Sequence, residues 1–240
     1  MIKNATQRTS GRKKKFFPIT RGGHEKLDLN RGQRYIAVTA FVILMLLSGL
    51  NLVTRHNIFD QNVVDFFVHH RTPAISALML ALTNAFTPTS IVIFAFAAAL
   101  IFIFWRKSIK LGFALLGSVG ISSVLAQVIK HMVSRHRPDL TFQLVHETDL
   151  SFPSGHATGI VALALAVYLA VRSLARKNSR RHQRRLAIVG WVLGILATLV
   201  CLSRLYLAAH WATDVIAGAC LGLGTTYVCF WLTEKIFARG

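Results

Sequence analysis

The stretch LGFALLGSVGISSVLAQVIK, residues 111–130, carries no charge until its last residue, Lys130. Its length is about the 20 residues that a helix needs to cross the hydrocarbon core of a bilayer. Apolar runs of the same kind recur at 35–53, 90–105, 154–174, 186–207 and 211–232. Six such runs predict an all-α fold, a polytopic membrane helical bundle with six transmembrane helices. Between the first two, residues 54–72 are mixed, with Phe66, Phe67 and Val68 set among Asp60, Asp65, His69, His70 and Arg71. That pattern suits the membrane interface. Residues 73–86 are apolar but too short to span, which is the length of an interfacial or re-entrant helix. Pro73 suits its start and Pro88 opens the next element. The expected architecture is therefore six spans plus a short interfacial helix between the first two.

Composition agrees with this. The chain is 53% hydrophobic and only 15% charged, too oily for an ordinary soluble domain. The net charge of +19 raises nucleic acid as a partner, but the basic residues crowd between the apolar runs and not along one soluble surface. The reading is no nucleic acid, and the positive-inside bias of membrane proteins instead. With six spans, Lys and Arg divide 22 to 6 between the two sides. The larger share lies with both termini, which places them in the cytoplasm of a multi-pass inner (plasma) membrane protein. Residues 1–34, with Arg12, Lys13, Lys14 and Lys15 together, read as a basic, disordered cytoplasmic tail, and 35–240 as the membrane domain. The first apolar run lacks a small-residue cleavage site and reads as a retained span. Cys201, Cys220 and Cys229 fall within apolar runs without metal or disulfide spacing, and read as small buried residues.

Against this background a set of polar residues stands out. Lys130 is followed by Arg137-Pro138, then by Pro153-Ser154-Gly155-His156, then by Ser203-Arg204 with His210 and Asp214 behind it. Ionisable groups inside apolar sequence are expensive and usually mark a functional site. All three groups fall on the non-cytoplasmic side of the six-span layout, so segments distant in sequence can converge there. Three cations, one histidine as nucleophile candidate and another as proton donor suit phosphoryl transfer, which needs mainly positioning and charge stabilisation.

Each residue also has a plainer reading. His210 and Asp214 are four apart and share a helix face, where the carboxylate can hold an imidazole tautomer or simply favour the helix dipole. Ser154 can cap a helix while the free N–H groups beside it receive an anion. Gly155 would let an anion approach the backbone, and His156 has no capping role. Lys130, Arg137 and Arg204 could snorkel from helix ends, yet their company favours a phosphate site. For Arg135, Arg55 and Arg71 the snorkelling reading is preferred. His131, His136 and His146, like His69 and His70, read as loop or interface residues, and Trp211 as an interface anchor. Asp214 is the only carboxylate in the set, which is too few hard ligands for a catalytic Mg²⁺; no metal and no other cofactor is expected.

Lys130-(six residues)-Arg137-Pro138, Pro153-Ser154-Gly155-His156 and Ser203-Arg204-(five residues)-His210-(three residues)-Asp214 together resemble the three-part signature of the type 2 phosphatidic acid phosphatase (PAP2) superfamily. The resemblance implies a metal-independent phosphatase working through a phosphohistidine. His210 would attack phosphorus, Asp214 would orient it, and His156 would protonate the leaving oxygen and later help activate water. Lys130, Arg137, Ser154, Gly155 and Arg204 would hold the phosphate. The six-span layout further resembles bacterial lipid phosphatases that act on undecaprenyl pyrophosphate, phosphatidylglycerophosphate or phosphatidic acid. The implied partners are a membrane lipid phosphate and the bilayer, with the site at the periplasmic or outer face. Two alternatives share the same residues: a phosphotransferase that passes the phosphoryl group to another lipid such as lipid A, and a non-enzymatic lipid or phosphate transporter. His210 with Asp214 favours the enzyme, because a transporter has no evident need for an activated nucleophile. The oligomeric state is not legible.

Overall fold

The structure is a computed structural model that describes residues 30–54, 57–175 and 180–237. The expected tail up to residue 29, Arg55, the basic residues at 176–179 and the last three residues lie outside that description. Among the described residues every regular element is helical: α1 (Arg31–Val53), α2 (Ile58–His69), α3 (Pro73–Ala85), α4 (Pro88–Leu100), α5 (Ile109–Val133), α6 (Gly155–Ser173), α7 (Arg180–Tyr206) and α8 (Ala212–Phe237). A π-helical turn, Ile101–Trp105, prolongs α4. Six of the described helices are long and apolar enough to cross a membrane: α1, α4 with its π turn, and α5 to α8. These are the six predicted spans.

The differences lie at the ends and in one connection. α1 begins at Arg31, four residues before the predicted span. Asn30 and Gln33 explain this: the Gln33 N–H donates to Asn30 Oδ1 at 2.8 Å and the Asn30 N–H donates to Gln33 Oε1 at 3.0 Å. That reciprocal cap satisfies two backbone donors and starts the helix in polar sequence. Two short helices, α2 and α3, stand between the first two spans where the sequence led us to expect one. Charges scattered along 58–69 mask the helical pattern of α2, whose buried residues are Asp60 and Val64, four apart on one face. α3 and α4 begin as expected, each with Pro at its first turn behind a threonine cap, Thr72 and Thr87.

α8 is the centre of the bundle, packed against α6, α5 and α1, while α2 leans on α7 and α8 and α3 on α7, at the end that holds Arg204, Tyr206 and Thr213. Glycine sets the closest of these approaches. A Cβ on Gly222 would lie 2.4 Å from the Thr158 carbonyl oxygen, and one on Gly218 2.5 Å from that of Ser154. Only glycine lets the backbone of α8 lie so close to α6, and that closeness brings the first turns of both helices together. Inside, Leu115, Ile160, Val200 and Phe230 are fully buried. Outside, Met45, Phe104, Trp105 and Trp191 are exposed, as expected of a surface that meets lipid tails and not water.

Candidate active site

α5, α6, α7 and α8 deliver their polar residues to one end of the bundle. α5 ends at Val133 with Ser134 in the left-handed region, φ 49°, and Lys130 lies in its last turn. The chain then crosses the bundle as a loop to Ser154, which caps α6: the Ala157 N–H donates to its Oγ at 3.4 Å. The Ser154 N–H donates in turn to the Asp214 carbonyl at 3.0 Å, tying the second motif to the third. α7 supplies Arg204 from its last turn, and the short link to α8 carries His210.

A cavity of about 110 Å³ forms between them, lined by Lys130, Arg137, Gly155, His156 and His210 among others. Ser154, Arg204 and Asp214 stand behind that lining. All eight residues expected at the site are therefore brought to one place. Arg137 Nη1 donates to His210 Nε2 at 3.0 Å and to the Ala209 carbonyl at 2.5 Å. With Nε2 accepting, the proton of a neutral ring sits on Nδ1, which is 3.5 Å from Asp214 Oδ2 and 3.4 Å from Ser151 Oγ. Burial, and then the positive charge of Arg137, Arg204 and Lys130, holds the His210 imidazole well below its ordinary pKa. Both effects favour the neutral ring, whose Nε2 lone pair meets the Arg137 guanidinium.

Asp214 is completely buried and fully engaged. Its Oδ2 accepts from the Trp211 N–H at 2.9 Å and from Ser151 Oγ, and its Oδ1 accepts from Arg135 Nη1 at 2.6 Å. Arg135 corrects the sequence reading, which had it snorkelling. It is 8% exposed, and its Nη2 donates to Asp60 Oδ2 at 2.7 Å. Burial of an unpaired guanidinium costs several kcal/mol, so it sits where two carboxylates meet it. Trp211, expected only as an interface anchor, also covers Arg135 with its ring at 5.3 Å and donates its indole N–H to the His136 carbonyl at 2.9 Å. Arg71 donates to the Tyr206 carbonyl at 3.0 and 3.2 Å, a link across elements and not a free snorkelling cation.

The loop before α6 adds residues that no motif flagged. Asp149 pairs with both Lys130 and Arg137, and Glu147 pairs with Arg204. Burial works to raise the Asp149 carboxyl, but Lys130 and Arg137 outweigh it and hold it down at about 2. Arg204, 1% exposed, also donates from Nη1 to Thr83 Oγ1, while its buried Nε has no partner. A buried donor left open beside two cations and a helix N-terminus is what an incoming anion would fill. No cluster of three or more His, Cys, Asp or Glu side chains is placed to hold a metal ion among the described residues.

Comparison with known proteins gives the arrangement its family. Residues 111–238 match the model of the PAP2 superfamily. Phosphatidylglycerophosphatase B of Bacillus subtilis (strain 168) is 28% identical over 203 residues, 84% of this chain and 97% of that protein. An undecaprenyl-diphosphatase of Sulfolobus acidocaldarius is 37% identical over 134 residues, 52% of this chain and 55% of that protein. Among solved structures, a transmembrane PAP2 type phosphatidylglycerolphosphate phosphatase from Bacillus subtilis superposes with a TM-score of 0.66 at 27% identity, covering 85% of this chain and 96% of that one. More than half of the chain, including every motif residue gathered at the cavity, falls in the matched segment, and the chain belongs to the PAP2 superfamily as a PAP2-type membrane phosphatase.

Proposed function

We propose that the protein hydrolyses the phosphate or diphosphate of a membrane lipid through a phosphohistidine on His210, at the outer face of the membrane. The observation that carries this reading is the Arg137–His210 contact: it sets the Nε2 lone pair at the wall of a small cavity ringed by cations, on a guanidinium N–H that an incoming phosphate would draw away. In the first half-reaction His210 Nε2 forms a bond to phosphorus as the P–O bond to the lipid breaks. His156, across the same cavity, gives its proton to the leaving oxygen. In the second, His156 takes a proton from water, the water oxygen bonds to phosphorus, and the P–N bond breaks to release inorganic phosphate. Lys130, Arg137 and Arg204 with the N–H groups at the start of α6 offset the charge on the phosphoryl oxygens. The substrate phosphate takes the places that the Glu147 and Asp149 carboxylates hold.

A lipid substrate fits a site at the end of six membrane-length helices, and the relatives named above act on phosphatidylglycerophosphate and undecaprenyl diphosphate. A wider cleft of about 640 Å³, walled by the end of α5 and the loop before α6, adjoins the cations and leaves room for a head group. The 22-to-6 division of Lys and Arg supports cytoplasmic termini and hence an outward-facing site. The test is phosphate release by purified protein in detergent. Phosphatidylglycerophosphate, undecaprenyl diphosphate and phosphatidic acid are supplied one at a time, with and without EDTA. The expected result is free inorganic phosphate over many turnovers from at least one lipid, unaffected by chelation. A strict requirement for added Mg²⁺ or Zn²⁺, or phosphate appearing only on a second lipid, would contradict it.

A further inference from the structure

Asp60 lies on α2, about fifty residues before the segment that matches the family model and outside all three motifs. It is 1% exposed, and both its oxygens are occupied. Oδ1 accepts from the Thr213 N–H at 2.9 Å, and Oδ2 accepts from Thr213 Oγ1 and from Arg135 Nη2, each at 2.7 Å. Arg135 carries the connection onward, with Nη1 donating to Asp214 Oδ1 at 2.6 Å and to Thr213 Oγ1 at 2.7 Å. The result is a closed chain of buried charges, Asp60–Arg135–Asp214, whose far end faces His210.

Packing does not require it. Replacing a buried ion triad by apolar residues of similar volume is often neutral or stabilising, so three buried charges are weak evidence for stability. Chemistry supplies a reason instead. Bond formation from His210 Nε2 to phosphorus leaves the ring cationic with its proton on Nδ1, and Asp214 is the carboxylate beside that proton. Arg135 alone would neutralise Asp214 and weaken its hold on the ring. A second carboxylate on the other arm of Arg135 leaves one net negative charge on the triad. The same contacts pin both the backbone and the side chain of Thr213, one residue before Asp214 in the first turn of α8.

We propose that Asp60 and Arg135 are positioning residues for the phosphatase reaction: they fix Asp214 by its Oδ1 so that Oδ2 stays on the His210 side, and they preserve its negative charge toward the ring. The proposal rests on the phosphohistidine reading above. α2 thereby becomes part of the reaction machinery without touching substrate.

The experiment measures kcat and KM for dioctanoyl phosphatidic acid, and inhibition by inorganic phosphate, in purified Asp60→Asn, Arg135→Gln, Arg135→Lys and His210→Ala proteins. Thermal transitions in detergent report folding. Asp60→Asn keeps the shape and removes the charge. Its kcat is expected to fall about ten- to a hundred-fold, the loss typical of an outer partner that acts through another side chain, with KM and phosphate inhibition unchanged within about two-fold. Arg135→Lys should recover part of the loss seen in Arg135→Gln. Should Asp60→Asn fail to fold, the two Arg135 variants carry the same comparison. Unchanged kcat in a folded Asp60→Asn, or losses spread equally over kcat, KM and thermal stability, would overturn the proposal and assign the triad to the fold. If His210→Ala alone is inactive and Asp60→Asn is normal, only this inference falls. If His210→Ala retains turnover, the phosphohistidine reading falls and takes this one with it.

Discussion

Arg135 and Arg137 stand two positions apart and hold the two halves of one pair: Arg135 donates to Asp214 Oδ1 and Arg137 donates to His210 Nε2. Arg137 was legible because Pro138 and the spacing from Lys130 set it in a motif. Arg135 was not, because its partner Asp60 lies 75 residues away, a separation that no local pattern encodes. Ser151 escaped for a related reason: it sits in a loop without periodicity, and only the fold brings it 63 residues along the chain to Asp214. Glu147 and Asp149 look like ordinary acidic loop residues until the loop lays them against the cations. Their pairing makes a prediction. The Asp149 side chain is 51% exposed and competes with phosphate for Lys130 and Arg137. Such a half-exposed pair is worth about 1 kcal/mol, so Asp149→Asn should lower the inhibition constant of inorganic phosphate about five-fold. Weaker phosphate binding in that variant would show that Asp149 helps to organise the site and does not compete for it.

The six membrane-length helices could be read from run length alone, because a bilayer imposes a length that few soluble helices combine with so few charges. Boundaries were less legible. The Asn30–Gln33 cap extends α1 into polar sequence, and the π turn after α4 leaves no mark in an all-apolar run. α2 was hidden because its one buried face carries a carboxylate, which reads as solvent-facing until Arg135 is placed beside it. The orientation of these elements is testable through their connections. A cysteine introduced within 139–149 in intact cells or spheroplasts should react with an impermeant maleimide. One introduced within 181–183 should not, in a background with Cys201, Cys220 and Cys229 replaced by alanine. The reverse pattern would place the site on the cytoplasmic face.

Across the whole molecule, α8 holds the arrangement together. It packs on α6, α5 and α1, and its first turn meets α2, so the residues that surround His210 come from nearly every part of the described chain. The site is therefore a property of the bundle, and the motifs mark only part of it. The central claim is that His210 takes the phosphoryl group. The direct measurement is a rapid quench of the purified protein with lipid labelled in its phosphate, followed by isolation of the protein under alkaline conditions, where a phosphohistidine survives. The account predicts labelled protein that loses its label in acid, with the label mapped to His210, and neither label nor phosphate release from a folded His210→Ala variant. Phosphate release at the normal rate by that variant, or label on another residue, would contradict it.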